Sequence, residues 1–301
     1  MPNQNIRQQS NSDKQTHQLK DKLRTVPERS SVSSIMRKIL SGILDFFWSM
    51  HTKPVSEDLL RANLAHPPLE LKGIEELAFS QNRNPFTKWW HYFEIYENEL
   101  GFKAKQSREN KLAQPLRILE IGVWKGGSLQ LWRSFFGENA VIFGIDIDEA
   151  SRNQGVTDAE IRIGSQADTA FLKSVVAEMG GLDIVIDDGS HVSKDVIHTL
   201  TTLFPLLSTG GSYIIEDLHT SYWPKFGGGL RRKTASIEVL KSIIDSLNQP
   251  YFSKSATRKE LDSSRWDVGS IQFFDSVVII RKSTSQKPAL FFNPGQVSKM
   301  K

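Results

Sequence analysis

Apolar positions along this chain fall into two rhythms. From about residue 115 onward, short and nearly continuous apolar runs alternate with longer stretches in which apolar residues return every three to four positions. The first kind is the signature of strands buried on both faces, the second of amphipathic helices. On this reading 116–121, 141–146, 160–163, 182–186 and 211–215 are strands. Segments 127–136, 168–179, 192–207 and roughly 234–247 are helices between or after them. Two closing strands, 269–274 and 276–281, meet across Asp275 and read as an antiparallel ending. Such β-α alternation predicts an α/β fold: a doubly wound, mostly parallel sheet with helices on both faces. Ligands of these sheets sit at the carboxyl ends of the strands.

The first third of the chain is different. Residues 1–33 are rich in Gln, Asn, Ser, Lys and Arg and have too little apolar surface to offset ordering entropy, so they read as a disordered tail. Apolar residues at 36, 39, 40, 43, 44 and 47 then mark one face of a helix over 35–48. Its basic residues, with Phe46, Phe47 and Trp48, would let it lie on a membrane surface. The commoner fate of such a helix is packing on its own domain or on an oligomer partner. Residues 68–101 read as helical up to Gly101 and contain the aromatic run Lys88-Trp89-Trp90-His91-Tyr92-Phe93-Glu94-Ile95-Tyr96. Some of these rings belong to the core, others suit a pocket wall, and His91 reads as a packed, hydrogen-bonded histidine. The expected organisation is a tail at 1–33, a helical N-terminal extension at 34–110, a catalytic domain at 111–285 and a C-terminal tail at 286–301.

Composition narrows the chemistry. There is no cysteine, which excludes disulfides, thiolate nucleophiles and thiolate metal sites and suits a reducing cytoplasm. The net charge of +4 comes without a dense Lys/Arg block, so nucleic acid is not an expected partner. The best candidate for a membrane span, 35–50, is interrupted by Arg37, Lys38 and Asp45 and does not suit a secretory signal.

The chemistry concentrates where two apolar runs end. Ile186-Asp187-Asp188-Gly189-Ser190-His191 closes one, and Ile215-Glu216-Asp217-Leu218-His219-Thr220 the other. If these strands are parallel neighbours, their ends lie about 4.8 Å apart. Asp188, Glu216 and Asp217 then converge, with His191 about a turn away. Carboxylates crowded in this way repel one another unless a cation sits between them. Oxygen ligands of this kind suit Mg²⁺ or Mn²⁺ rather than Zn²⁺, and the histidine beside them is a candidate base.

A second site is written after the first strand, in Leu119-Glu120-Ile121-Gly122-Val123-Trp124-Lys125-Gly126-Gly127-Ser128. A dinucleotide loop has glycine where Trp124 stands, and the Gly-Lys-Ser/Thr of a P-loop is missing. The pattern fits a smaller ligand, the amino-acid end of S-adenosylmethionine, with Glu120 toward the ammonium and Gly122, Gly126 and Ser128 toward the carboxylate. Asp146, ending the next apolar run, is placed to accept from ribose hydroxyls. Gln166, after the third strand, is placed to meet an adenine edge.

With these motifs in view, residues from about 86 to 250 resemble the metal-dependent sugar O-methyltransferases of macrolide biosynthesis, of the mycinamicin and tylosin type. They are similar, more distantly, to the methyltransferase-like protein of the cephalosporin pathway. The resemblance rests on Lys88–Phe93, Leu119–Ser128, Gly144-Ile145-Asp146-Ile147-Asp148, Asp187–His191 and Glu216–Trp223. It implies a class I methyltransferase (Rossmann-like) sheet of order 3-2-1-4-5-7-6 and S-adenosylmethionine as cofactor, with Asp187 counted on the cofactor side. It also implies Mg²⁺ on Asp188, Glu216 and Asp217, His191 as general base, and a homo-oligomer. One departure is Ser165, where the family pattern has Asp before the Gln. The expected acceptor is a hydroxyl of a sugar or other glycosylated small molecule, with Tyr222 and Trp223 as candidate walls of its pocket. Two other readings compete: a metal-dependent hydrolase using the same acids and histidine, and a non-catalytic methyltransferase-like interaction protein.

Overall fold

Side chains alternate across a strand, so each buried strand feeds two cores at once. β1 (Arg117–Ile121) shows this directly: Leu119 and Ile121 point to one core, Ile118 to the other. The computed structural model describes residues 72–79, 84–154, 156–157, 159–248 and 266–284. These fall within the unit Pro68–Lys301. The 1–33 tail, the 35–48 helix and the 286–301 tail of the sequence reading lie outside the described residues.

The remaining strands are β2 (Val141–Asp146), β3 (Glu160–Ile163), β4 (Ile184–Asp187), β5 (Ser212–Ile215), β6 (Val268–Phe273) and β7 (Val278–Lys282). They form a seven-stranded sheet of order β3-β2-β1-β4-β5-β7-β6. β1 to β5 pair in parallel, and β7 pairs antiparallel with both β5 and β6. This is the predicted class I order. The register aligns Ile121 of β1 with Asp187 of β4, and Asp187 with Ile215 of β5. Three adjacent strands therefore end level with one another.

One face of the sheet is covered by α1 (Ile74–Phe79), α2 (Trp90–Arg108) and α3 (Gly127–Phe136). The other is covered by α4 (Thr169–Glu178), α5 (Ser193–Leu203) and α6 (Ser236–Asn248). α4 starts where Asp168 accepts hydrogen bonds from the amides of Ala170 and Phe171 and so caps the helix.

The single helix expected over 68–101 is instead two. Residues 84–89 are not helical, because Pro85 biases Asn84 toward extended backbone and cannot donate within a helix. α2 also runs past Gly101 to Arg108. A mid-helix glycine costs only about 0.5–1 kcal/mol, and the fully buried Leu100 and Ala104 on either side outweigh it. Among the described residues no helix is long and apolar enough to cross a membrane.

Burial predicts unequal sensitivity along the fold. Leu119→Ala removes a fully buried side chain from β1, an interior strand, and should cost about 2–5 kcal/mol in urea unfolding. Phe102→Ala, at a residue 75% exposed, should cost less than about 0.5 kcal/mol. A comparable loss at Phe102 would show that its face is covered in solution.

Candidate active site

Glycine 122 sits at the junction of the two sequence motifs. Its φ of +91° is a conformation that L side chains rarely adopt. A Cβ there would lie 2.1 Å from the carbonyl oxygen of Asp188. The loop after β1 and the loop after β4 thus touch backbone to backbone. Gly126, also left-handed at φ +77°, turns the chain into α3. Between them Trp124 is half exposed at the surface of the loop.

Asp146, at the end of β2, holds this loop from the side. Its Oδ2 accepts from the amides of Val123 (2.9 Å) and Trp124 (2.8 Å), and its Oδ1 from Asp148 (2.9 Å). Burial pushes its pKa up, but these backbone donors outweigh burial and keep the carboxyl below its ordinary value. Glu120, completely buried, accepts from the Ser128 hydroxyl at 2.7 Å. It therefore ties β1 to the start of α3.

Alternation across the strands separates the acids. Ile118 and Glu120, Ile186 and Asp188, and Ile214 and Glu216 follow the same parity, toward α2 and α3. There the Lys88 ammonium, 1% exposed, lies 2.7 Å from Asp188 Oδ2, 2.6 Å from Glu216 Oε1 and 3.7 Å from Glu120 Oε1. Burial opposes its charge, but these three carboxylates outweigh it and raise its pKa, so it stays an ammonium. Tyr96 donates to the same Oε1 of Glu216.

Asp217 is in the left-handed region at φ +51°, which swings its carboxylate out of the strand's alternation. Its Oδ1 accepts from Trp89 Nε1 (3.0 Å) and Tyr92 OH (2.8 Å). Its Oδ2 is 3.9 Å from His191 Nε2, and Asp188 Oδ1 is 3.8 Å from the same nitrogen. Asp188, His191 and Asp217 offer ligand atoms all within 4.8 Å of one another, a spacing that a divalent cation can bridge. The adjoining Glu216 carboxylate lies deeper, against Lys88 and Tyr96.

Asp187 has the opposite parity and turns to the other core. There its carboxyl accepts from Tyr213 OH (3.1 Å) and Gln166 Nε2 (3.4 Å). Desolvation raises its pKa to about 7, against the opposing influence of His191 and Tyr213. Gln166 accepts from the Ser190 amide at 2.7 Å and bonds Thr199, joining the β3 loop to the loop that carries His191.

Beyond the acids lies an aromatic wall. His219 meets Trp223 edge-on at 4.8 Å and Trp89 at 6.0 Å, while Tyr222 is 41% exposed. Burial pushes the His219 pKa below its ordinary value, which keeps that ring neutral. His91 is hydrogen-bonded to the Asp275 carbonyl at 2.8 Å, as expected of a packed histidine. The glycine run 227–229 forms a hydrogen-bonded turn, with Gly228 and Gly229 donating to Trp223 and Ser221 carbonyls. A hollow of about 420 Å³ at the far end of α2, lined by Arg108, Arg133 and Asn139 among others, is remote from this chemistry.

Sequence reasoning alone misses Lys88, Tyr92 and Tyr96 as site residues. They had a signal: spaced four apart, they form a polar stripe on the buried side of α2 and the turn before it.

Two outcomes follow from this geometry. Gly122→Ala should displace the Asp188 loop and lower stability by more than about 1 kcal/mol, read in a thermal melt. Asp187 binds a proton more tightly folded than unfolded. Its stabilising contribution is therefore complete below the unfolded carboxyl pKa of about 4 and is lost as pH rises through about 7. From about pH 5 to about pH 8 the wild type should lose about 2–3 kcal/mol through this group. Asp187→Asn should flatten that slope in pH-dependent melts, and an unchanged slope would show that Asp187 is ionised throughout.

Residues 119–218 match a family described as a methyltransferase domain. The chain is 36% identical over 237 residues to the 8-demethyl-8-alpha-L-rhamnosyl tetracenomycin-C 2'-O-methyltransferase of Streptomyces olivaceus, spanning 76% of this chain and 60% of that one. It is 37% identical over 186 residues to the mycinamicin VI 2''-O-methyltransferase of Micromonospora griseorubida, spanning 58% and 45%. The chain thus spans about half the length of the curated relatives it matches. Among solved structures, the MycE methyltransferase of the mycinamycin pathway in complex with Mg and SAH aligns at a TM-score of 0.59 and 29% identity, over 71% of this chain and 54% of that one. Sheet order, loop placement and sequence likeness together give the chain the class I, Rossmann-like fold, with residues 119–218 similar to a methyltransferase domain and the chain as a whole similar to the sugar O-methyltransferases of macrolide and tetracenomycin biosynthesis.

Proposed function

We propose that this protein is an S-adenosylmethionine-dependent, Mg²⁺-dependent O-methyltransferase acting on a sugar hydroxyl of a glycosylated small molecule. The observation that carries the reading is the meeting of Asp188, His191 and Asp217 beside the glycine loop, at the carboxyl ends of β1, β4 and β5. MycE, to which the fold is similar, is described in complex with Mg, SAH and mycinamycin VI. The tetracenomycin and mycinamicin relatives are named for methylating sugar oxygens.

The residues present fit both groups. Asp188 and Asp217, with Glu216 beside them, offer the oxygen ligands that Mg²⁺ takes. When bound, the metal would lower the pKa of a coordinated hydroxyl and fix its position. S-adenosylmethionine would supply the methyl group as a sulfonium. The loop from Gly122 to Ser128 and Glu120 would hold its amino-acid end. Asp146, already clamping that loop, would face the ribose, and Gln166 and Asp187 would border the adenosine.

Within that frame His191 has the task of taking the proton from the acceptor hydroxyl. Its Nε2 faces both aspartates, and the backbone at φ +57° aims the ring at them. General-base assistance of this kind contributes about 10²–10⁴ in rate. Tyr222 and Trp223 would flank the acceptor, since flat rings pack against sugar faces. A homo-oligomer, supported by the family resemblance, and a cytoplasmic location, supported by the absence of cysteine, belong to the same reading.

A second assignment is favoured by one observation: the His191 nitrogen lies inside the same 4.8 Å cluster as the aspartate oxygens. It would then be a metal ligand, a role common for neutral imidazole.

The first experiment is calorimetric titration with S-adenosylhomocysteine, with and without Mg²⁺. Micromolar binding supports the proposal, and no binding in either condition sinks it in favour of a hydrolase or an interaction protein. His191→Ala should lower turnover by about 10²–10⁴ while Mg²⁺ and cofactor affinities hold. Loss of Mg²⁺ affinity in that variant would assign the histidine to the metal instead. Asp188→Ala should abolish activity together with its dependence on added metal. Substantial turnover of the wild type in excess chelator would contradict the metal role.

A further inference from the structure

Lys88 takes no part in the chemistry above, yet it is placed at the centre of the acids. Its ammonium lies within hydrogen-bond distance of Asp188 Oδ2 and Glu216 Oε1, and 3.7 Å from Glu120 Oε1. Its remaining side faces the Trp132 ring, 6.0 Å from the ring centre. The side chain is 1% exposed, as sealed as the core around it. From this geometry we infer that Lys88 is the positioning residue of the metal-binding Asp188 carboxylate: a fixed internal cation that holds one oxygen of Asp188 and ties it to the Glu216 carboxylate behind it. This inference rests on the metal reading proposed above.

The physical case has three parts. First, a compact ammonium has three donors and no acceptor, so it can hold several carboxylates at once without the planar demand of a guanidinium. Second, with Oδ2 of Asp188 held by lysine, the oxygen turned toward His191 and Asp217 is Oδ1. Orientation of that carboxylate is therefore settled before any ligand arrives. Third, Glu120 and Glu216 are 0% and 3% exposed. Carboxylates so deeply buried need a partner supplied by the protein itself. Removing the lysine would take the ammonium from Asp188 Oδ2 and Glu216 Oε1, free Asp188 to turn, and weaken the grip on a divalent ion.

Glu120 extends the consequence. It binds Ser128 at the head of α3 with one oxygen and faces Lys88 with the other. The same ammonium therefore stands between the cofactor loop and the metal acids.

The test is Mg²⁺ titration calorimetry on the full chain, wild type against Lys88→Met, with S-adenosylhomocysteine titrations in parallel. Loss of a group that orients metal ligands typically costs 10–100-fold in affinity. Lys88→Met should accordingly bind Mg²⁺ at least about tenfold more weakly, with cofactor affinity falling less. Equal or tighter Mg²⁺ binding by a folded Lys88→Met protein would overturn the inference, even if its melting temperature falls, because that is what a merely structural lysine would do. Absence of Mg²⁺ uptake by the wild type, with cofactor still bound, would remove the metal reading and this inference together. Should Lys88→Met not fold, the wild type still decides. Lysine-Nζ-labelled protein should keep an exchange-protected ammonium signal when saturated with Mg²⁺. Disappearance of that signal on adding metal would mean that the ion displaces the lysine, and the inference fails.

Discussion

Carboxylates of Glu120, Asp188 and Glu216 meet at the level ends of three adjacent parallel strands, and buried charge of one sign is unstable unless a cation is supplied. The rest of the site can be understood as the supply. Lys88 provides one positive charge inside the protein wall, hydrogen-bonded to Asp188 and Glu216 and 3.7 Å from Glu120. Tyr96 adds a neutral donor to Glu216. Asp217 is held separately, by Trp89 and Tyr92, at a left-handed residue that turns it away from its neighbours. What is left facing outward is a smaller group, Asp188 and Asp217 around His191, sized for one divalent ion.

The same constraint explains why α2 matters to a site formed mostly by the sheet. Its buried side carries Tyr92 and Tyr96 among Phe93, Ile95 and Leu100, and the turn before it carries Lys88 and Trp89. Polar atoms on a core-facing helix are costly unless each finds a partner. Here each partner is one of the acids, so the helix cannot shift without unpairing both sides. Packing and site geometry are thereby one problem. The glycine at 122 solves the companion problem on the other flank, where two backbones approach too closely for any side chain.

Much of the fold and of the site was legible in the sequence. Buried parallel strands announce themselves as apolar runs, and β2, β3 and α3 lie at the residues read from those runs. The acids that end β4 and β5 were legible too, since a polar pair closing an apolar run has nowhere to go but the sheet's edge. Asp146 and Gln166 were placed at their strand ends, although their backbone partners were not foreseen. The helical reading of 68–101 fails at its middle, where Pro85 interrupts regular helix. Lys88 carries no legible role in the sequence, because its meaning depends on residues 100 and 128 positions further on.

The sequence by itself determined local rhythm and its consequences: which segments are strands, which are helices, and which acids end the strands. Those follow from backbone geometry, which each short segment carries within itself. Only the tertiary structure decided what each face meets. That Asp188 finds an ammonium and Asp187 a tyrosine and a glutamine in an otherwise apolar core depends on how distant helices pack over the sheet. Packing is set by the whole chain's burial of apolar surface, and no local pattern encodes it.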